Sequence, residues 1–329
     1  MIHPIPPGTR DVLPDEMREL RRLQGSLLDV FENYGYGEVR TPTIEYADVV
    51  SLGDEASAGD AYRFFDDRGE LLALRTDMTI PIARLVATRF GEVEPPWRLS
   101  YVANSYRAVT PQRARLREFG QAGIELIGIE GPEGIAEVVE VLARALDAVG
   151  LENAVIGLGD AGLWSALVRD AGGGDGVVES SSRRLAAHDI VGLGAELESS
   201  GEFPGPRIEE MLDLVQRRGG PEIITTARSG AGSGLEAVLD RLEATCEAVS
   251  RRSVGERIQL DLGMLRDLGY YTGPIIEVYD PSVGEAIGGG GRYDGLMERF
   301  GVSQPAAGFS LYLEGIHRAQ LEQNGGDDD

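Results

Sequence analysis

The chain has 329 residues, enough for a large core and for more than one compact body. Its 55 acidic residues outnumber 31 basic ones, for a formal net charge of -24, a field that disfavours broad electrostatic docking on nucleic acid. Every basic residue is arginine, which excludes a Walker-type phosphate loop, a Schiff-base lysine and a lysine general base.

In chain order, Pro6-Pro7-Gly8-Thr9-Arg10-Asp11 reads as a turn-rich entry. Proline and acids at Pro14-Asp15-Glu16 open a helix. Along it Met17, Leu20, Leu23, Leu27, Phe31 and Tyr34 recur at helical spacing, up to a stop at Gly35. Residues 37–41 read as a strand ended by Pro42. Short strands are expected at 71–74, 97–102 and 124–129, and helices at 81–90 and 132–149. After a strand at 154–158 the texture changes. Gly172–Gly176, Ser180–Ser182 and Ser229–Gly234 break up helical segments such as 208–218 and 235–250. Strands resume at 257–262 and 274–279, followed by Gly288–Gly291 and a closing helix to about 321. The expected organisation is a first core part at 1–162, a mostly helical insertion at 163–255, a second core part at 256–321 and a disordered acidic tail at 322–329.

Cys246, the only cysteine, excludes an intrachain disulfide and reads as a small apolar filler in a helical pattern. His3, His188 and His317 lack metal-ligand spacing, so no metal is expected. There is no charged-then-apolar leader, and no apolar run reaches the ~20 residues that span a bilayer. The expected location is the cytoplasm, away from membranes.

Several constellations carry candidate chemistry. Gln121 and Glu125 flank Gly123 in a strand, so their side chains share one face across a bare glycine. That pattern fits a floor for a small ligand, and it equally fits an exposed polar strand face. Asp77 and Thr79 lie two apart before a helix, where they can hold an ammonium or cap the helix. Arg107 opens a loop rich in arginine (Arg113, Arg115, Arg117), suited to an anion or simply to solvent. Gly157-Leu158-Gly159-Asp160-Ala161-Gly162 is a literal G-x-G-x-x-G, but no second parallel strand follows it to complete a dinucleotide site. The glycine run 288–291 lacks a phosphate cradle's spacing and better suits close backbone approach to a ligand.

Taken in order, these residues carry a resemblance. Leu74-Arg75-Thr76-Asp77-Met78-Thr79, Arg107, Gln121-Ala122-Gly123-Ile124-Glu125, Arg266 and Tyr270-Tyr271-Thr272-Gly273 resemble the histidine-site motifs of the histidyl-tRNA synthetase family. Gly288–Gly291 with Arg292-Tyr293-Asp294-Gly295 is the usual companion of the last of these. Gly308-Phe309-Ser310-Leu311-Tyr312-Leu313-Glu314-Gly315 resembles the third class II synthetase motif, with Gly315 where that family has an arginine. The resemblance spans roughly 4–160 and 256–318. It implies an α+β fold: a class II aminoacyl-tRNA-synthetase-like core, mainly antiparallel sheet flanked by helices, with a helical insertion. It also implies no anticodon-binding domain, because only about ten residues follow the closing helix.

By resemblance, Asp77, Thr79 and Gln121 hold the α-ammonium of histidine, and Glu125 and a tyrosine matching Tyr271, beside Tyr270, recognise its imidazole. Arg107 and Arg266 face its carboxylate end. Aspartate at 77 is one methylene shorter than the family's glutamate, and Val109 replaces an adenine-placing glutamate. With Gly315, and Tyr312 in place of a glycine, useful aminoacyl-adenylate formation is not expected; a shifted Arg318 is the exception to watch. This architecture resembles the regulatory subunits of short-form ATP phosphoribosyltransferases. That implies a non-catalytic chain with no cofactor, a separate catalytic subunit as partner, L-histidine as effector, and a homodimer within a hetero-oligomer. The alternatives are a truncated aminoacylating enzyme and a histidine-binding module with another partner.

Overall fold

The computed structural model describes residues 5–54, 58–108, 116–266 and 269–325. The spaced apolar residues of the first helix, α1 (Pro14–Asn33), bury Leu20, Leu23, Leu27 and Phe31 as one stripe. Gly35, at φ +80°, turns the chain out of the helix in a conformation that costs any residue with a Cβ. The chain continues through β1 (Gly37–Glu38), β2 (Ile44–Tyr46), α2 (Ala47–Gly53), β3 (Arg63–Phe65), β4 (Leu71–Leu74) and α3 (Thr79–Arg89). A long hairpin, β5 (Trp97–Tyr106) and β6 (Glu118–Ile127), leads to α4 (Gly131–Ala148) and β7 (Val155–Asp160).

Six helices follow: α5 (Leu163–Asp170), α6 (Asp175–Ala186), α7 (Ile190–Ser200), α8 (Gly205–Leu214), α9 (Glu222–Ala227) and α10 (Ser233–Ser250), with the short β8 (Arg218–Gly219) among them. The remainder is β9 (Ile258–Asp261), β10 (Pro274–Tyr279), β11 (Ala286–Arg292), α11 (Asp294–Arg299), β12 (Ala306–Tyr312) and α12 (Leu313–Gly325). Among the described residues nine strands form one sheet in the order β1-β5-β6-β12-β11-β10-β7-β9-β8, antiparallel except for β1–β5 and β7–β9. A small antiparallel sheet, β2-β4-β3, stands apart. No helix among the described residues is long and apolar enough to cross a membrane.

Strand alternation sorts the main sheet into two faces. Ala122, Ile124 and Leu126 of β6 join Phe309 and Leu311 of β12 in one core with α1, α4 and α10. Phe31 meets Phe309 edge to face at 5.9 Å. On the other face Met78, Ile82, Val86, Tyr101, Tyr270, Tyr293 and Leu296 form a second core around α3 and α11. Gln121, Gly123 and Glu125, of opposite parity to the first set, therefore face this second side.

Several expected boundaries move. The strands expected at 97–102 and 124–129 are the 97–106 and 118–127 arms of one hairpin. Nine of the ten residues of β6 are buried, so the solvent-facing alternation that marks a half-buried strand is missing. The closing helix runs to Gly325, past the expected end near 321, so residues 322–325 belong to it rather than to a tail. Val109, Arg113, Arg115, the Asp267-Leu268 pair, His3 and the end of the tail at 326–329 lie outside the described residues.

Candidate functional site

A small, partly enclosed pocket opens on the second face of the sheet. Asp77, Thr79, Arg107, Gln121, Arg266, Tyr270 and Tyr271 line it, so distant stretches of the chain converge on one cavity. Glu125 is not in the lining. It lies behind the pocket, 1% exposed, accepting hydrogen bonds from Thr79 Oγ1 at 2.8 Å and from the Tyr293 hydroxyl.

Gln121 and Glu125 are thus not an exposed polar strand face: Gln121 is only 2% exposed. Its amide oxygen accepts from Ser105 Oγ, and its Nε2 donates to Ser310 Oγ at 3.2 Å. Gly123 is not a ligand floor either. A Cβ there would sit 2.1 Å from the Phe309 carbonyl and 2.6 Å from the Tyr101 hydroxyl, so the space belongs to the protein.

Glycines elsewhere on this face serve the same purpose. A Cβ at Gly308 would lie 2.0 Å from Glu125 Oε2, and one at Gly289 would lie 1.7 Å from Arg266 Nη1. A parallel strand does follow the G-x-G-x-x-G pattern, β9 beside β7, contrary to the expectation, but Gly157 and Gly159 are mid-strand in β7, where they admit the side chain of Met264. Together they form a trough across the sheet that receives the 264–266 segment and delivers Arg266 to the pocket.

Buried Asp77 and the largely buried Arg266, whose Nη1 lies 3.5 Å from Glu277, both line this pocket, and each has one buried polar atom without a hydrogen-bond partner among the described residues. Asp77 Oδ1 accepts from the Ile80 amide at 3.0 Å, which is the helix-capping role, while its Oδ2 finds no partner among the described residues. Burial pushes the Asp77 carboxyl up, a rise that the Ile80 amide and Arg107 partly offset. Arg266 donates Nη1 to the Ile276 carbonyl at 3.1 Å and stands over the Tyr271 ring at 5.8 Å, while its Nε finds no partner among the described residues. Unpaired buried polar atoms are costly and rare in folded chains. A small zwitterion that presents an ammonium to one and a carboxylate to the other satisfies both.

The remaining wall is aromatic. The Tyr270 and Tyr271 rings lie 4.9 Å apart, and Tyr270 meets Tyr293 edge to face at 6.0 Å. Burial holds the phenols of Tyr270 and Tyr293 well above their ordinary range and that of Tyr271 at about 12, so all three remain neutral donors. Burial also lifts the Glu125 carboxyl to about 8, against the hydrogen bonds from Tyr293 and Thr79. Arg107 donates Nε to the Thr76 carbonyl at 3.3 Å and covers the Phe119 ring at 5.2 Å. Tyr312 abuts Phe119 edge to face at 5.8 Å.

Tyr293, Ser310 and Tyr312 also line the pocket, and residue spacing did not single them out as ligand contacts. The signal was present in β12, where Gly308, Ser310 and Tyr312 lie two apart and pair with Glu125, Gly123 and Gln121. Gly315 opens α12, where a Cβ would approach Ile287 Cγ2 to 3.2 Å. Arg318, the nearest alternative cation on that helix, pairs with Glu285 and is not in the pocket lining. Among the described residues no group of three or more histidine, cysteine, aspartate or glutamate side chains is placed to hold a metal.

Comparison with known proteins places this geometry. The family model described as histidyl-tRNA synthetase matches residues 8–316. The ATP phosphoribosyltransferase regulatory subunit of Desulforamulus reducens is 41% identical over 94% of this chain and 77% of its own length. That of Moorella thermoacetica is 39% identical over 97% of this chain and 82% of its own length. Among solved structures, an ATP phosphoribosyltransferase regulatory subunit/histidyl-tRNA synthetase from Bacillus halodurans superposes with a TM-score of 0.89 at 29% identity, over 97% of this chain and 83% of that one. The chain belongs to the histidyl-tRNA synthetase family and, within it, to the ATP phosphoribosyltransferase regulatory subunits.

Proposed function

We propose that this chain binds free L-histidine and regulates a separate short-form ATP phosphoribosyltransferase, permitting its activity and suppressing it when histidine accumulates. The partner joins ATP and phosphoribosyl pyrophosphate to give phosphoribosyl-ATP and pyrophosphate. The observation that carries the reading is a pair of buried atoms without a partner among the described residues, Asp77 Oδ2 and Arg266 Nε, in one small pocket. Asp77, with Thr79 and Gln121, takes the α-ammonium, and Arg266, with Arg107, takes the carboxylate. Tyr271 and Tyr270, with Glu125 behind Thr79 and Tyr293, set the preference for an imidazole. Opposite charges at the two ends fix the ligand's orientation, and a buried polar group left unpaired rejects apolar isosteres.

The chain itself is non-catalytic on this reading. Adenylate formation needs electrostatic stabilisation of the transferring phosphate. Gly315 offers none, and Arg318 is engaged with Glu285. The decisive assay measures the catalytic subunit from the same genome, with and without this chain, across a histidine titration. Activity that requires this chain and falls with histidine is the expected result. A catalytic subunit indifferent to this chain at every histidine concentration sinks the proposal.

A further inference from the structure

The turn that follows β7 holds the one sequence motif the pocket only half explains, Asp160-Ala161-Gly162 after Gly157 and Gly159. Asp160 is 1% exposed, and its two carboxylate oxygens accept from Arg241 Nε and Nη2, each at 2.8 Å. Its Oδ1 also accepts from the Gly162 amide at 2.8 Å. Arg241 lies midway along α10, the last helix of the helical segment, and its guanidinium reaches back to the sheet. Gly162 borders that arrival: a Cβ there would lie 3.4 Å from Arg241 Nη2, an ordinary contact.

The same turn touches the pocket's tyrosine loop. The Ala161 amide donates to the Gly273 carbonyl at 3.0 Å, and a Cβ at Gly273 would lie 3.7 Å from Arg241 Nε. From the other side, the Thr272 amide donates to the Arg292 carbonyl at 2.8 Å, and the Asp294 amide donates to Thr272 Oγ1 at 3.1 Å. Residues 272–273 immediately follow the pocket tyrosines 270 and 271. They are held between β11 and α11 on one side and the Asp160–Arg241 pair on the other.

We propose that Asp160 and Arg241 are positioning residues that tie helix α10 to the tyrosine loop, so that occupancy of the pocket changes how firmly the helical segment is held. A bidentate guanidinium–carboxylate pair constrains orientation as well as distance. A ligand that orders Tyr270 and Tyr271 therefore orders the far side of the same contact, and the coupling is reciprocal. The inference rests on the amino-acid reading of the pocket given above.

The test combines calorimetric titration of the purified full chain with L-histidine and amide hydrogen exchange with and without it. In the wild type, histidine is expected to slow exchange across Ser233–Ser250, a measurement that needs no variant. Arg241→Gln alone strands a buried carboxylate, so the Asp160→Asn/Arg241→Gln double variant is the second probe. It should bind histidine at least about five-fold more weakly, the lower end of typical coupling, and lose the histidine-dependent slowing in α10. Arg228→Gln, which breaks ion pairs to Glu236, Asp240 and Glu243 on the same helix, should leave histidine affinity unchanged. A folded double variant with wild-type affinity, or a wild type that binds histidine without any response in α10, overturns the inference and leaves the pocket reading standing. A wild type that binds no histidine overturns the pocket reading, and the inference with it.

Discussion

At the scale of single residues, the pocket is defined by what its charges lack. Asp77 is buried with one oxygen that has no partner among the described residues and its pKa raised by burial, so burial favours its neutral form in the folded chain without ligand. Asp77→Asn should therefore weaken histidine binding by about 2–5 kcal/mol, the usual cost of removing one partner from a buried charge pair. The same variant should leave the ligand-free chain as stable as wild type or more so; calorimetry and denaturant titration check the two halves. Glu125 makes a separate prediction. Its pKa rises from 4.5 to about 8 on folding, so its contribution to stability is fully present below pH 4.5 and is lost as pH rises through about 8. Glu125→Gln cannot ionise, and its stability relative to wild type should grow by roughly 2–5 kcal/mol between those limits. Urea titrations of both chains across that range measure it; parallel pH profiles refute it.

Among the elements, the glycine-rich β11 distinguishes space reserved for a functional side chain from space required by the backbone. A methyl at Gly289 collides with the Arg266 guanidinium, and the Ile276 carbonyl is at 2.8 Å. One at Gly290 collides with backbone only, the Gly308 carbonyl at 2.0 Å and Phe309 Cα at 2.6 Å. Gly289→Ala is expected to fold, with a cost of about 1–3 kcal/mol for overpacking, and to lose histidine affinity because Arg266 is displaced. Gly290→Ala should fail to give a stable fold, since two strands of the sheet must separate to admit it. Circular dichroism melts followed by histidine titration separate the two outcomes. The glycine run was legible as a place of close approach, but its occupant was not. Arg266 arrives from a segment more than twenty residues away, and no local pattern records that meeting.

For the whole molecule, the proposed regulation is a linkage between a pocket and an assembly. Histidine and the catalytic partner must change each other's affinity by the same factor, typically about 5–150-fold. Titrating histidine into this chain alone and into the assembled complex measures that factor from one side. The reverse titration, partner into chain with and without histidine, must return the same value. Histidine-dependent ATP–pyrophosphate exchange should be absent at every enzyme concentration tried. Gly315→Arg is not expected to restore it, because a side chain there begins 3.2 Å from Ile287 Cγ2 and Tyr312 still borders the pocket.

Helix α1, the Asp77–Thr79 entry to α3 and the Tyr270–Tyr271 loop could all be read from the chain alone, because apolar periodicity and short-range motifs are local properties. Membership of the family was equally legible, since motif order survives in the linear chain. The burial of Gln121 and Glu125, the use of Gly123, Gly289 and Gly308 as room for neighbouring side chains, and the retreat of Glu125 behind Thr79 and Tyr293 were decided only in three dimensions. Strand parity states which residues share a face; it does not state whether water or protein covers that face. That depends on contacts between β6 and β12, about 190 residues apart. Burial is a property of such contacts, and it sets the charge state, the partners and the empty space on which the chemistry of this site depends.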